Sequence, residues 1–230
     1  MSEKGRWNGL PLVIFGSGGI SREVVLIIDE INRLSKNAVF DLVGFVEDSS
    51  NKVGALVDEI SVVSSDQEFK EFSRAFPVLG VVLPLGFPKL KKKIFETVLK
   101  GIDNLVFPNI IHPSSRIDLS RNKLGMGNVI TANNMLTLDV ELGNFNLLND
   151  GVVVGHDVRV GSFSVINPLA SISGACIIGD EVLIGAGAKI LQNRKIANRV
   201  VVASGSVVLK DVIEEGATIV GVPGIKHKNL

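Results

Sequence analysis

Residues 124–208 read LGMGNV ITANNM LTLDVE LGNFNL LNDGVV VGHDVR VGSFSV INPLAS ISGACI IGDEVL IGAGAK ILQNRK IANRVV VASGSV V, and the spacing within them decides the fold. Every sixth residue is aliphatic: Leu124, Ile130, Leu136, Leu142, Leu148, Val154, Val160, Ile166, Ile172, Ile178, Ile184, Ile190, Ile196, Val202 and Val208. The next position is usually small (Gly125, Gly143, Gly155, Gly161, Gly179, Gly185, Ala197, Ala203), and the fifth is often small or β-branched, as at Val140, Val152, Ser164 and Ala188. A period of six matches neither the 3.6 of a helix face nor the 2 of a long strand. It suits a triangular coil, each side a short strand followed by a turn, stacked into a prism. The first-position aliphatics point inward, and the small neighbour is expected to let the chain turn the corner. Three hexads per coil give about five coils and, at about 4.8 Å per rung, a height of roughly 24 Å. On this reading the aliphatic ladder is core and not a site.

Upstream, residues 11–15 (PLVIF) form an apolar run, followed by Gly16, Ser17, Gly18 and Gly19. From Ser21 to about Arg33 the residues Val24, Val25, Ile27, Ile28 and Ile31 make one broad helical face. A strand, a glycine turn and a helix open a βαβ unit. Backbone N–H groups in such a turn, with a helix N-terminus behind them, can hold a phosphate; the same residues also make a plain tight connection. A second strand at residues 42–46 ends in Glu47 and Asp48, where an acidic side chain often contacts a nucleotide's ribose or base. A third strand near 78–83 and a helix near 89–100 complete the unit. The fold class expected is an α/β, Rossmann-like domain over residues 1–105, then a parallel β-helix of hexapeptide repeats over 106–230.

Composition narrows the function classes. Hydrophobic residues are 46% and charged residues 21% of the 230, so a packed core is expected rather than disorder. The net charge is zero, and Lys89, Lys91, Lys92 and Lys93 alone approach a basic cluster. They are read as the solvated face of a helix, which leaves no nucleic-acid surface. The single Cys176 excludes an internal disulfide. Neither a basic-then-apolar leader nor an apolar run of ~18 residues is present, so a soluble, cytoplasmic protein without membrane insertion is expected.

Of the three histidines, His227 sits in a polar tail and His112 precedes Pro113 at the domain junction. His156 occupies the third position of a hexad, in Gly155, His156, Asp157, and a corner position projects its imidazole from the prism. Asp157 beside it can raise its basicity and fix its orientation. The alternative is a surface histidine next to a turn aspartate. No cluster has zinc-ligand spacing and no G-x-S-x-G elbow is present, so neither a metal nor a serine nucleophile is expected.

The chain resembles bacterial hexapeptide-repeat sugar acyltransferases of the sialic acid O-acetyltransferase and UDP-4-amino-sugar N-acetyltransferase type. The resemblance spans nearly the whole sequence. It rests on the glycine turn at 16–19, Gly44-Phe45-Val46-Glu47-Asp48, Ile111-His112-Pro113-Ser114, Gly155-His156-Asp157, Ile166-Asn167-Pro168, Ile172-Ser173-Gly174 and Gly221-Val222-Pro223-Gly224. It implies a left-handed β-helix, a homotrimer with active sites between subunits, and acetyl transfer from acetyl-CoA to a sugar or nucleotide-sugar acceptor. His156 matches the general base and Asp157 its supporting acid. Asn149 matches a residue facing the acceptor. Gly16, Gly18, Gly19 and Asp48 would hold the nucleotide, and acetyl-CoA would lie near Gly174, Ala186, Ser204 and Gly205. Three positions depart from relatives: Ile20 and Val165 stand where some carry histidines, and Phe87 follows Gly86 where an asparagine is usual. The resemblance leaves three outcomes open: N-acetylation of a nucleotide-linked amino sugar, O-acetylation of a surface sugar, or a non-catalytic nucleotide-sugar-binding scaffold.

Overall fold

The structure, a computed structural model, describes residues 8–227. Its first unit is a mostly parallel sheet in the order β3-β4-β2-β1-β5-β6. The strands are β1 (Leu10–Phe15), β2 (Phe40–Glu47), β3 (Leu56–Val57), β4 (Ile60–Ser65), β5 (Leu79–Val82) and β6 (Leu105–Val106). β1 lies between β2 and β5, and its Leu12, Val13 and Ile14 are completely buried, as a central parallel strand requires. Helix α1 (Gly19–Leu34) lays Val24, Ile27 and Ile28 on the sheet. The sequence reading misses β4 and the short helix α2 (Phe69–Ser73). The β3–β4 hairpin turns on Asp58 (φ 47°) and Glu59 (φ 68°), a pair of left-handed residues with no glycine to announce them.

The lysine run is a correction. Helix α3 (Pro88–Ile94) continues into a π-helical turn at Phe95–Leu99. Lys91 is completely buried and donates from Nζ to the Phe145 carbonyl at 3.0 Å, and Lys92 pairs with Glu181. Lys91 is therefore interior, and Lys92, still half-exposed, reaches across to the second unit.

That second unit is the prism, built of short parallel rungs, two residues long up to Val207–Val208 and spaced 18 residues apart from Lys123 to Val208. Face I carries Ile110–Ile111, Val129–Ile130, Leu147–Leu148, Val165–Ile166, Leu183–Ile184, Val201–Val202 and Thr218–Val220. Face II carries Arg116–Ile117, Met135–Leu136, Val153–Val154, Ser171–Ile172, Lys189–Ile190 and Val207–Val208; face III carries Lys123–Leu124, Glu141–Leu142, Arg159–Val160, Ile177–Ile178 and Lys195–Ile196. The first-position aliphatics form one continuous core from Ile111 to Ile219. The prism thus starts at Ile110, earlier than Leu124. A seven-residue step between Ile117 and Leu124 breaks the register that the period of six follows. The extra residue lies in the turn at 119–121, and by Asn122 the coil is regular again: its side chain accepts the Val140 N–H as Asn128, Asn134 and Asn146 accept theirs.

The corners also differ from expectation. The second-position glycines are small because successive coils nearly touch there: a Cβ on Gly155 would lie 2.6 Å from Gly174 N, and one on Gly185 2.4 Å from Ser204 N. The turn itself is made two residues later. Every sixth residue from Gly127 to Gly205 is left-handed, with φ between 53° and 69°, whether Gly, Asn, Asp, Phe, Leu, Ala, Glu or Arg. Each non-glycine residue there carries a strain of about 1 kcal/mol that the stacked coils must offset.

The outward residue of each rung decides how the units meet. On face I these are Ile110, Val129, Leu147 and Val165, all at most 1% exposed and packed with Ile27 and Ile28 of α1 in one cluster. The left-handed Phe145 and Phe163 stack at 5.2 Å, and Phe95 sits against both. The α/β unit therefore covers face I and the edge between faces III and I. Val165 is part of this interdomain core.

Candidate functional site

The edge between faces II and III is left open by this packing, and it carries His156. The residue follows the rung Val153–Val154 at the third, projecting position of its hexad, and it is exposed. Asp157 takes the left-handed turn position (φ 58°), which aspartate tolerates better than most residues. The turn brings its Oδ2 to 2.8 Å from His156 Nδ1. With Nδ1 engaged, Nε2 is the free nitrogen. It lies over Gly174, one coil on: a Cβ built there would be 2.5 Å from Nε2 and 2.6 Å from Cε1.

The three edges differ in how their backbone is finished. Between faces III and I, the third-position N–H groups of Met126, Asn144, Ser162 and Asp180 donate respectively to Asn144, Ser162, Asp180 and Asn198 side chains of the next coil. Between faces II and III no such ladder exists. Among the described residues the Gly174 N–H has no hydrogen-bond acceptor, while its neighbours Ser173 and Ala175 donate to Ile190 O and His156 O. The exposed base therefore lies over a buried residue whose N–H has no partner among the described residues.

Asn149 and the other cofactor candidates lie elsewhere. Asn149 sits at the edge between faces I and II, its Nδ2 donating to Asn167 Oδ1 at 3.1 Å. Ala186, Ser204 and Gly205 follow the rungs Leu183–Ile184 and Val201–Val202 at the same edge, whereas Gly174 shares His156's. Face II separates the two groups. Among the described residues no hydrogen bond or ion pair links His156 to Asn149 or to the glycine turn.

At the turn itself, Gly16 (φ 81°) leaves β1 in a conformation that favours glycine, and Gly18 caps α1 with Gly19 as its first residue. The acidic residue that meets the turn is Glu47, the last residue of β2, one before Asp48. Its Oε1 accepts from Ser17 N (2.7 Å) and Ser17 Oγ (2.6 Å), and its Oε2 from Lys52 (2.9 Å). Burial works against the charge of Glu47, but the bonds from Ser17 and Lys52 prevail and hold its carboxyl below the usual range. Asp48 is 76% exposed and touches Lys52. The signal for Glu47 was its position as the final strand residue. Ser17 had none beyond lying between glycines.

A cleft of about 630 Å³ borders the turn at Gly19 and runs between α1 and the β3–β4 hairpin, floored by Leu42 and Phe45, with Arg22 and Asp58 paired across it. Cys176 is buried beneath the His156 corner, its Sγ on Leu191 O at 3.0 Å, and burial pushes its thiol up, so it offers no ready thiolate. Among the described residues no three His, Cys, Asp or Glu side chains converge on a metal-sized site, and no helix is long and apolar enough to cross a membrane.

The family model for the bacterial transferase hexapeptide (six repeats) matches residues 175–210. No curated protein matches the sequence. Solved structures do. PerB of Caulobacter crescentus, in complex with CoA and GDP-perosamine, is 22% identical with a TM-score of 0.83, covering 95% of this chain and 97% of that one. The acetyltransferase domain of PglB from Neisseria gonorrhoeae, with acetyl coenzyme A, is 22% identical with a TM-score of 0.82, over 95% and 100% of the two chains. WeeI from Acinetobacter baumannii is 22% identical with a TM-score of 0.79, again over 95% and 100%. The chain therefore carries bacterial-transferase hexapeptide repeats and has, over 95% of its length, the fold of these proteins: an α/β domain followed by a left-handed parallel β-helix.

Proposed function

We propose that the protein is an acetyl-CoA-dependent acetyltransferase acting on the amino group of a nucleotide-linked sugar. The observation that carries this reading is the corner itself: a histidine oriented through Nδ1 by Asp157, its Nε2 free, beside the unpaired Gly174 N–H. The acceptor amine attacks the thioester carbonyl, forming the C–N bond as its proton passes to His156 Nε2. The Gly174 N–H donates to the oxyanion, a contribution of about 3 kcal/mol for a well-placed donor. Collapse breaks the C–S bond, and the imidazolium returns its proton to the departing CoA sulfur. No acyl-enzyme forms. Two of the solved Caulobacter structures are variants with one histidine replaced, crystallised with CoA and GDP-perosamine, which supports the same chemistry here.

Residues 1–105 are the acceptor-binding domain in this proposal. Gly16, Gly18 and Gly19 hold the nucleotide phosphates at the start of α1, with Glu47 joining Asp48 as the carboxylates facing the ribose or base. Acetyl-CoA runs along the prism past Gly174, with Ala186, Ser204 and Gly205 contributing backbone from a second subunit. The homotrimer that the resemblance implies is part of this proposal, and the placement of the site residues supports it. Asn149, Ala186, Ser204 and Gly205 sit on one edge of face II and His156 on the other, so a site containing both closes when the edges of two copies meet. Face II presents Met135 and Val153 half-exposed to such a contact. The acceptor chemistry belongs to the cytoplasm, where acetyl-CoA and nucleotide-sugars are available.

The deciding experiment measures free CoA release from acetyl-CoA across amino-sugar and hydroxy-sugar acceptors, nucleotide-linked and free. Turnover with amino-sugar nucleotides alone is expected. Turnover with hydroxy-sugars alone replaces the amine by a hydroxyl acceptor. Binding of nucleotide-sugar without any CoA release makes the protein a scaffold.

A further inference from the structure

We propose that Gly174 positions the catalytic imidazole by having no side chain. This rests on the acetyl-transfer reading, but its geometry does not. The catalytic edge of the His156 ring lies against the next coil. A Cβ on Gly174 would stand 2.5 Å from Nε2, 2.6 Å from Cε1 and 3.0 Å from Cδ2. Ordinary contact begins about 1 Å further out, so any other residue at 174 forces the ring to move. Gly174 has no positive φ, so its backbone does not require glycine. Two coils converge on one ring: the Asp157 carboxylate holds Nδ1 from the histidine's own turn, and the bare Cα of Gly174 supports the opposite edge. The ring therefore packs over the same residue whose N–H has no partner among the described residues.

The test is Gly174→Ala, which keeps the N–H and adds only the methyl group. A 1 Å displacement of a reacting group is enough to lose about 100-fold in kcat. We expect that loss with the affinity for CoA, by calorimetry, kept within about threefold. The proton resonance of the His156 ring, identified by its disappearance in His156→Ala, should shift and titrate differently in Gly174→Ala. The double variant supplies the control for folding: with the ring gone the methyl group has room, so Gly174→Ala should cost almost nothing in a His156→Ala background. Turnover of Gly174→Ala within threefold of wild type overturns the proposal. So does a loss of kcat with an unchanged His156 titration, or two losses that simply multiply. If no acceptor turns over, the transfer reading fails, and the His156 resonance still decides whether Gly174 sets the ring.

Discussion

Replacing Lys91 should strengthen the protein. The Lys91 amine is completely buried and donates to Phe145 O, and among the described residues no carboxylate pairs with it. Burial brings it down from 10.5 to about 7. At about 1.36 kcal/mol per pH unit, that difference corresponds to about 5 kcal/mol of destabilisation when the amine is charged in the fold. The sign follows from proton counting. Below pH 7 both states bind the proton and the destabilisation is complete. Between 7 and 10.5 the unfolded chain keeps the proton and the fold does not, so stability rises with pH. Lys91→Met fills the same space without the charge but leaves the Phe145 carbonyl unpaired, losing about 1–3 kcal/mol. At pH 6 the variant should be more stable by roughly 2–4 kcal/mol. That advantage should shrink by up to about 1.4 kcal/mol per pH unit above 7. Urea unfolding followed by far-UV circular dichroism, at one protein concentration across pH 6–9, measures it. Wild-type and variant curves that run parallel in pH would refute a desolvated lysine.

His156→Ala should leave the core and CoA binding intact while kcat falls by roughly 10²–10⁴-fold, and Asp157→Asn should lose less; wild-type turnover in a folded His156→Ala protein rules out the base. Ile178→Asp buries an unpaired charge in the prism and should prevent folding, read as loss of the circular dichroism transition. Glu47→Gln should raise the acceptor KM more than Asp48→Asn does, because only Glu47 receives the Ser17 N–H; equal effects would return the role to Asp48. Sedimentation should give three times 24.6 kDa, and a monomer under assay conditions contradicts a shared site.

The strict period of six was enough to place fifteen inward side chains, because a triangular coil ties every sixth residue to the axis. It also placed His156 at a projecting corner and Asp157 beside it, since both follow from position in the hexad. What periodicity could not carry was anything set by the neighbouring coil or domain. The register before Leu124 was lost because a single extra residue sits in the turn at 119–121, which leaves no mark on the apolar pattern. Lys91 looked solvated because a lysine's hydration is decided by what packs over it, here a prism edge 54 residues away. The outward residues of face I, Val129, Leu147 and Val165, repeat every 18 residues, yet only the docked α/β unit shows that they are interior. Likewise Gly174 reads in sequence as one more small residue. Its meaning comes from lying 18 positions after His156, one full coil, where the stacking of parallel rungs puts bare backbone against the imidazole.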